Sequence, residues 1–432
     1  MPVIERLTAG EILDSRGRPT VAATCILAGG ATGSASAPSG ASTGTAEALE
    51  LRDGDRRRYR GLGCRKAAGN VNREIHDALA GREFADQTAL DRALIELDGT
   101  ANKSRLGANA ILAVSIAFAR AGAQAGGVPL YQYFAGMMGE HPRALPRLTI
   151  NLFSGGKHAG RQVAIQDVLI VPGAATIDES LAMAYEIYQT AAGLIWKRYG
   201  MRLLTADEGG LAPPCRSAEE MIDTAMEAIG RLDANLALDV ASSHFYRDGQ
   251  YQLDAPLDSA EMVERLVHWA SHYPIVSIED GLAENDWDWW PRLCSALAGR
   301  VQVMGDDLLC TNPGRIRRAI ETRACNALLL KPNQVGTLTE AAEACRLARE
   351  AGWQVTVSVR SGETEDNWAA DLAVGWRGDY FKPGSITQSE RLAKYNRLLE
   401  IERQTGYSIR SSTPAPGASQ SISPAKGSSR PE

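Results

Sequence analysis

Five short apolar runs, LALDV, IVSIED, VQVMGDD, ALLLK and QVTVSVR, recur in the second half of the sequence, each closed by charged residues. The closing residues Asp239, Glu279, Asp306, Lys331 and Arg360 lie about 25 to 40 positions apart, the length of one strand plus one helix in a barrel. Amphipathic stretches with helical spacing fill the intervals. This regularity predicts an α/β protein built around a (β/α) barrel. The interior of such a barrel is packed with apolar side chains and only the rim at the carboxyl ends of the strands is open, so charged residues closing successive strands must converge there. A doubly wound open sheet is the alternative, but no G-x-G-x-x-G follows a first strand.

At 432 residues the chain exceeds one typical domain. Residues 1–135 combine a strand-like run (VAATCIL), a Gly/Ser-rich segment (GATGSASAPSGASTGT) and helical patterns, which predicts an α+β capping domain. Residues 136–410 form the expected barrel, and SSTPAPGASQSISPAKGSSRPE, with almost no large apolar residue, reads as a disordered tail over 411–432. A 44% hydrophobic fraction and a net charge of -6 describe a soluble globular chain without the basic surplus that attracts nucleic acid. Seven scattered cysteines with no C-x-x-C spacing point to reduced thiols in the cytoplasm, not to zinc or disulfides. The opening MPVIERLTAGEILDSRG lacks the apolar core of a secretory signal. The most apolar window, LGANAILAVSIAFARAGA, carries Asn109, Ser115 and Arg120 and fits a buried helix better than a membrane span.

Asp239, Glu279 and Asp306 on consecutive strand ends suit a hard, oxygen-seeking cation such as Mg²⁺. A single acidic strand end is more often a cap or a solvated group, but three on one rim repel one another unless a cation sits between them. Lys331 closes ALLLK and Lys382 follows DYF in the next unit, so two ammonium groups are expected to face those carboxylates. A lysine beside a cation and a second lysine has its neutral form favoured, as a base for a carbon-bound proton requires. Arg360 and Ser361, in RSGETED, fit an anion-holding loop. Asp207 and Glu208 precede Gly209 and Gly210, and His158 and Asp167 lie in FSGGKHAGRQVAIQD, a segment that reads as a mobile loop. The glycines suggest hinge freedom for closure over a ligand.

Taken together, EILDSRGRPTV, SGASTGTAEALELRDGD, NKSRLGANAILAVS, DEGGLAP, ALDVASSHFY, SIED, GDDLLCTN, LLLKPNQVGT, RSGETED and SERLAKYN resemble the enolase family over nearly the whole chain apart from the tail. The resemblance implies an enolase-type (β/α)8 barrel with an N-terminal capping domain, two Mg²⁺ ions, a small anionic phosphorylated substrate, no nucleic-acid or membrane partner, and a homodimer or larger homo-oligomer. It further implies that Asp239, Glu279 and Asp306 hold one ion and that Ser42 belongs to a loop closing with the second. Lys331 then matches the base for the C2 proton, Glu208 the acid for the C3 hydroxyl, Arg360 and Ser361 the phosphate ligands, and Lys382 a carboxylate ligand. His158 and Asp167 would also face substrate.

Three positions depart from the family pattern. Val359 stands where enolases carry histidine, Asp167 where they carry glutamate, and Gly281-Leu282 where they carry Pro-Phe. The first two fall where the substrate's hydroxyl and phosphate are handled, and Lys157 and Arg161 make the lid more basic. These changes favour a specialised paralogue similar to the carboxyphosphonoenolpyruvate synthases of phosphonate antibiotic biosynthesis. The alternatives are a housekeeping enolase of glycolysis and a binding module that has lost catalysis, the latter disfavoured by retained like charges that an idle site has no physical reason to keep together.

Overall fold

The computed structural model describes residues 1–41, 43–201, 204–297 and 299–410. Ser42 and the expected tail at 411–432 lie outside these residues. The chain opens with an antiparallel sheet of β1 (Ile4–Leu13), β2 (Pro19–Leu27) and β3 (Thr32–Ser36). β2 alternates between fully and partly buried residues along much of its length, as a strand packed on one face does. The Asp14 carboxylate accepts the backbone N–H groups of Arg16 and Arg18 and so shapes the β1–β2 turn. The helix Ala108–Ala125 covers this sheet. Its polar residues are all committed: Ser115 donates to Asp91, Asn109 holds Leu51, and Arg120 pairs with Asp366 of the barrel domain at 2.6 Å. Among the described residues no single helix is long and apolar enough to cross a membrane.

The helix Leu130–Met138 runs through the expected division at 135 and ends at the left-handed Gly139. A boundary at Gly139 respects this helix, and we propose it as the more natural division between the domains. After it the chain closes an eight-stranded barrel whose strands neighbour one another in chain order. The first three barrel strands are β4 (Arg147–Ser154), β5 (Asp167–Pro172) and β6 (Ala234–Asp239). A small sheet of β7 (Tyr246–Arg247), β8 (Gln250–Gln252) and β9 (Pro256–Leu257) follows outside the barrel. β10 (Ile275–Glu279), β11 (Gln302–Gly305), β12 (Ala327–Leu330), β13 (Gln354–Ser358) and β14 (Tyr380–Gly384) complete the wall. The five apolar runs closed by Asp239, Glu279, Asp306, Lys331 and Arg360 are β6 and β10 to β13.

Helix starts are specified locally. Thr176, Ser217, Asp258 and Thr337 each accept the backbone N–H three residues on, and Asp258 forms a reciprocal capping box with Glu261. One strand reverses the pattern. β5 is antiparallel to both β4 and β6, so its first residue, not its last, reaches the rim: Asp167 lies beside Ser154 and Asp239. The segment assigned to a mobile loop therefore ends in a buried strand. Seven free cysteines are buried, and among the described residues none is bridged.

Candidate active site

Strand register decides what gathers at the mouth. Asp239 and Glu279 are paired residues at the ends of β6 and β10, Asp306 follows β11, Lys331 follows β12, and Lys382 lies within β14. All five are at least nine-tenths buried. Lys382 Nζ donates to Asp239 Oδ2 at 2.8 Å and to Glu279 Oε2 at 2.7 Å, while Lys331 Nζ donates to Asp306 Oδ2 at 2.5 Å. The Gln166 and Gln334 amides donate to Asp239 and Asp306 at 3.1 and 2.7 Å. The carboxylates and lysines expected to converge thus share one rim, with each carboxylate held by an ammonium group.

Their charges are unequal. Burial resists ionisation of Asp239, but Lys382 outweighs it and holds the acid well below its ordinary range. Burial and the neighbouring Asp239 push Glu279 well above the carboxylic range, because one ammonium group does not neutralise two acids. Burial also opposes charge on Lys331, yet Asp306 overcomes it and raises the lysine's pKa. A contact of 2.5 Å to a carboxylate stabilises the Lys331 ammonium form more than Arg360 and Lys382 disfavour it; the neutral form expected from sequence is that of a lysine beside a bound cation.

A second group occupies the β4–β5 side. His158 Nδ1 lies 2.8 Å from Asp167 Oδ2, and Nε2 lies 3.7 Å from Glu208 Oε1. Asp167 Oδ1 accepts from Asn151 at 2.8 Å and Ser154 at 2.6 Å. Burial alone would depress the His158 pKa, but the two carboxylates lift it to about 9. Glu208 is lowered despite its burial, chiefly by His158 with help from Arg391. Burial raises the Asp167 pKa in the same group even as His158 opposes it, so the three side chains share their charge, and the acid's role that the resemblance gives Glu208 stays a proposal. Asp167→Asn should bring the His158 pKa from about 9 down toward the ordinary imidazole value of about 6.5; a ring-proton NMR titration that does not move would refute the pairing.

Gly209 and Gly210, expected to act as hinges, serve close packing instead. Gly209 has a φ of +84°, and a Cβ there would meet the Thr387 hydroxyl at 2.5 Å; a Cβ on Gly210 would meet Asn151 Oδ1 at 2.5 Å. This fixes the turn that carries Glu208 against β4.

The third group is the anion loop after β13. Arg360 makes a two-pronged ion pair with Glu47 at 2.9 and 3.1 Å and donates to Asn333 at 3.0 Å. Ser361 Oγ accepts from Arg16 at 3.1 Å and from the Ala41 N–H at 2.8 Å. The capping domain therefore supplies the partners that aim the loop. Val359 is buried in the main apolar cluster, and its N–H donates to Lys382 O at 3.2 Å. Glu47 and Arg16 were not singled out from sequence, since their partners lie more than 300 residues away. Asp280 and Asp307 were missed as well, although the doubled acids of SIED and GDD mark them. Asp280 accepts the N–H groups of Asp306 and Asp307 at 2.9 and 2.8 Å, and donor atoms of these three acids lie within 4.8 Å of one another.

The donor set fits a hard divalent cation. Glu279 Oε1 is buried without a hydrogen-bond partner, and Asp239 and Asp306 at the same rim offer further carboxylate oxygens.

Two family profiles match the chain. One, described as the enolase N-terminal domain, covers residues 4–134; the other, the enolase C-terminal TIM barrel domain, covers residues 142–413.

Proposed function

The chain belongs to the enolase family, and from that premise we propose a specialised, Mg²⁺-dependent member acting on a phosphorylated or phosphonylated three-carbon acid of the 2-phosphoglycerate and phosphoenolpyruvate type. On this proposal it is a carboxyphosphonoenolpyruvate synthase-like enzyme of phosphonate biosynthesis. Asp239, Glu279 and Asp306 would hold the first ion, with Ser42 contributing near a second. Bound there, Mg²⁺ would neutralise the carboxylates and stabilise negative charge developing on the substrate's own carboxylate.

Lys331 removes the proton from the carbon next to that carboxylate. Its amine becomes available once Asp306 is engaged away from Nζ, because Asp306 is what holds the ammonium form. Lys382 orients the substrate carboxylate, and Arg360 with Ser361 holds the phosphoryl or phosphonyl group by charge-assisted hydrogen bonds. An incoming anion exchanges with Glu47 on the Arg360 guanidinium. His158, charged and steadied by Asp167 and Glu208, donates a proton to whatever departs from the adjacent carbon.

The observation that carries the specialised reading is Val359. A buried apolar side chain closes the anion loop where the family pattern has a proton-carrying ring, so leaving-group assistance there is absent. A housekeeping enolase remains the second reading, favoured by the intact lysines, carboxylates and Arg360. Phosphoenolpyruvate formation from 2-phosphoglycerate separates them: turnover of about 1 to 10³ s⁻¹ would establish ordinary dehydration and defeat specialisation. The metal proposal has its own measurement. Mg²⁺ at 100 times its Kd should stabilise the fold by about 2.7 kcal/mol, seen as a higher unfolding midpoint, and Asp239→Asn should abolish the gain.

A further inference from the structure

A cavity of about 460 Å³ opens beside the barrel mouth, between the lid segment 156–164 and the segment 244–254 that carries β7 and β8. Its size is that of a small-ligand site. Lys157 and Arg161 line one wall, and Arg216, His244 and Arg247 line the rest. Among the described residues none of these four lysine and arginine side chains makes an ion pair. The one carboxylate in the lining, Asp254, lies 3.6 Å from Arg265 outside it. His244 Nδ1 is buried and has no hydrogen-bond partner. Burial holds Lys157 below its ordinary pKa against the pull of Asp307 and Glu284, with Arg161 adding to the lowering. Four like charges around one concavity concentrate positive potential.

Lys157 belongs to the same lid segment as His158, the imidazole that faces Asp167 and Glu208. We propose that this cavity binds a second anion, a small molecule carrying a phosphonate or phosphate group, alongside the acid held at the barrel mouth. The specialised reading supplies the anion's role in the reaction; the binding site itself does not depend on that reading.

The test is isothermal titration of the Mg²⁺-loaded enzyme, with 2-phosphoglycerate saturating the barrel mouth and phosphonoformate as probe. One further equivalent should bind. Arg216→Gln and Arg247→Gln, both exposed, should each weaken it about tenfold, the size of one charge-assisted hydrogen bond. Affinity for 2-phosphoglycerate should stay within about twofold, as for separated sites. Inorganic phosphate run in parallel distinguishes a general phosphate site from one that selects the phosphonate; dependence of either probe on the two arginines supports the site. Absence of a second equivalent, or binding indifferent to both substitutions, overturns it. If phosphonoformate binds as expected while no new product forms, the site stands and the specialised reading falls.

Discussion

Lys331→Ala is expected to lower exchange of the substrate's C2 proton with solvent by about 10² to 10⁴, the usual contribution of a positioned acid or base. The amine contacts Asp306 and lies within electrostatic reach of the Arg360 clamp, and both neighbours are buried. Deuterium incorporation followed by NMR reads the proton step directly, whatever the later chemistry. Loss of exchange alone does not assign the role, because the substitution also leaves Asp306, among the described residues, with Gln334 as its one remaining side-chain hydrogen-bond partner. Breaking a buried ion pair costs about 3–5 kcal/mol. Lys331→Arg resolves this: it keeps a cation against Asp306 but cannot deprotonate at working pH. A folded arginine variant with no exchange identifies Lys331 as the base; one that exchanges normally removes it from that role.

How far this site could be read from sequence depended on whether the deciding contact was local. Strand ends carrying Asp239, Glu279, Asp306 and Lys331 were legible because an apolar run and its closing charge sit within a few residues. β5 was not. DVLIVP is as apolar as its neighbours, but its reversed direction is a property of pairing with β4 and β6, so Asp167 looked like a loop residue until the register was known. Glu47 and Arg360, 313 positions apart, meet only because the capping domain leans over the barrel. Protonation states were the least legible. Whether Lys331 is charged turns on the competition between burial, Asp306 and two nearby cations, and composition does not rank those terms. The same holds for Glu208, which His158 keeps ionised. The glycines after Glu208 teach a related lesson: a Gly-Gly pair signals either freedom or crowding, and only the neighbours Thr387 and Asn151 decide.

Restoring the family pattern should restore the family reaction. Val359→His combined with Asp167→Glu is expected to raise 2-phosphoglycerate dehydration by about 10² or more, since one proton-carrying or polar catalytic group is commonly worth about 10² to 10⁴. The two changes belong together because both positions depart from the family pattern where the resemblance puts handling of the substrate's hydroxyl and phosphate. Each carries a structural cost. A histidine at 359 enters an apolar neighbourhood with the site 5% exposed, and an unpartnered buried polar group is costly unless substrate satisfies it. Glutamate at 167 adds a methylene where Asn151, Ser154 and His158 already fit closely around the shorter acid, and such overpacking costs about 1–3 kcal/mol. The double variant should therefore unfold at a lower temperature while dehydrating faster, opposite directions that a general loss of integrity cannot produce. Initial rates taken well below its unfolding midpoint provide the measurement. A folded double variant with no gain would mean that the missing proton carrier is not what separates this chain from its relatives, and the basic cavity beside the lid would then have to account for the divergence.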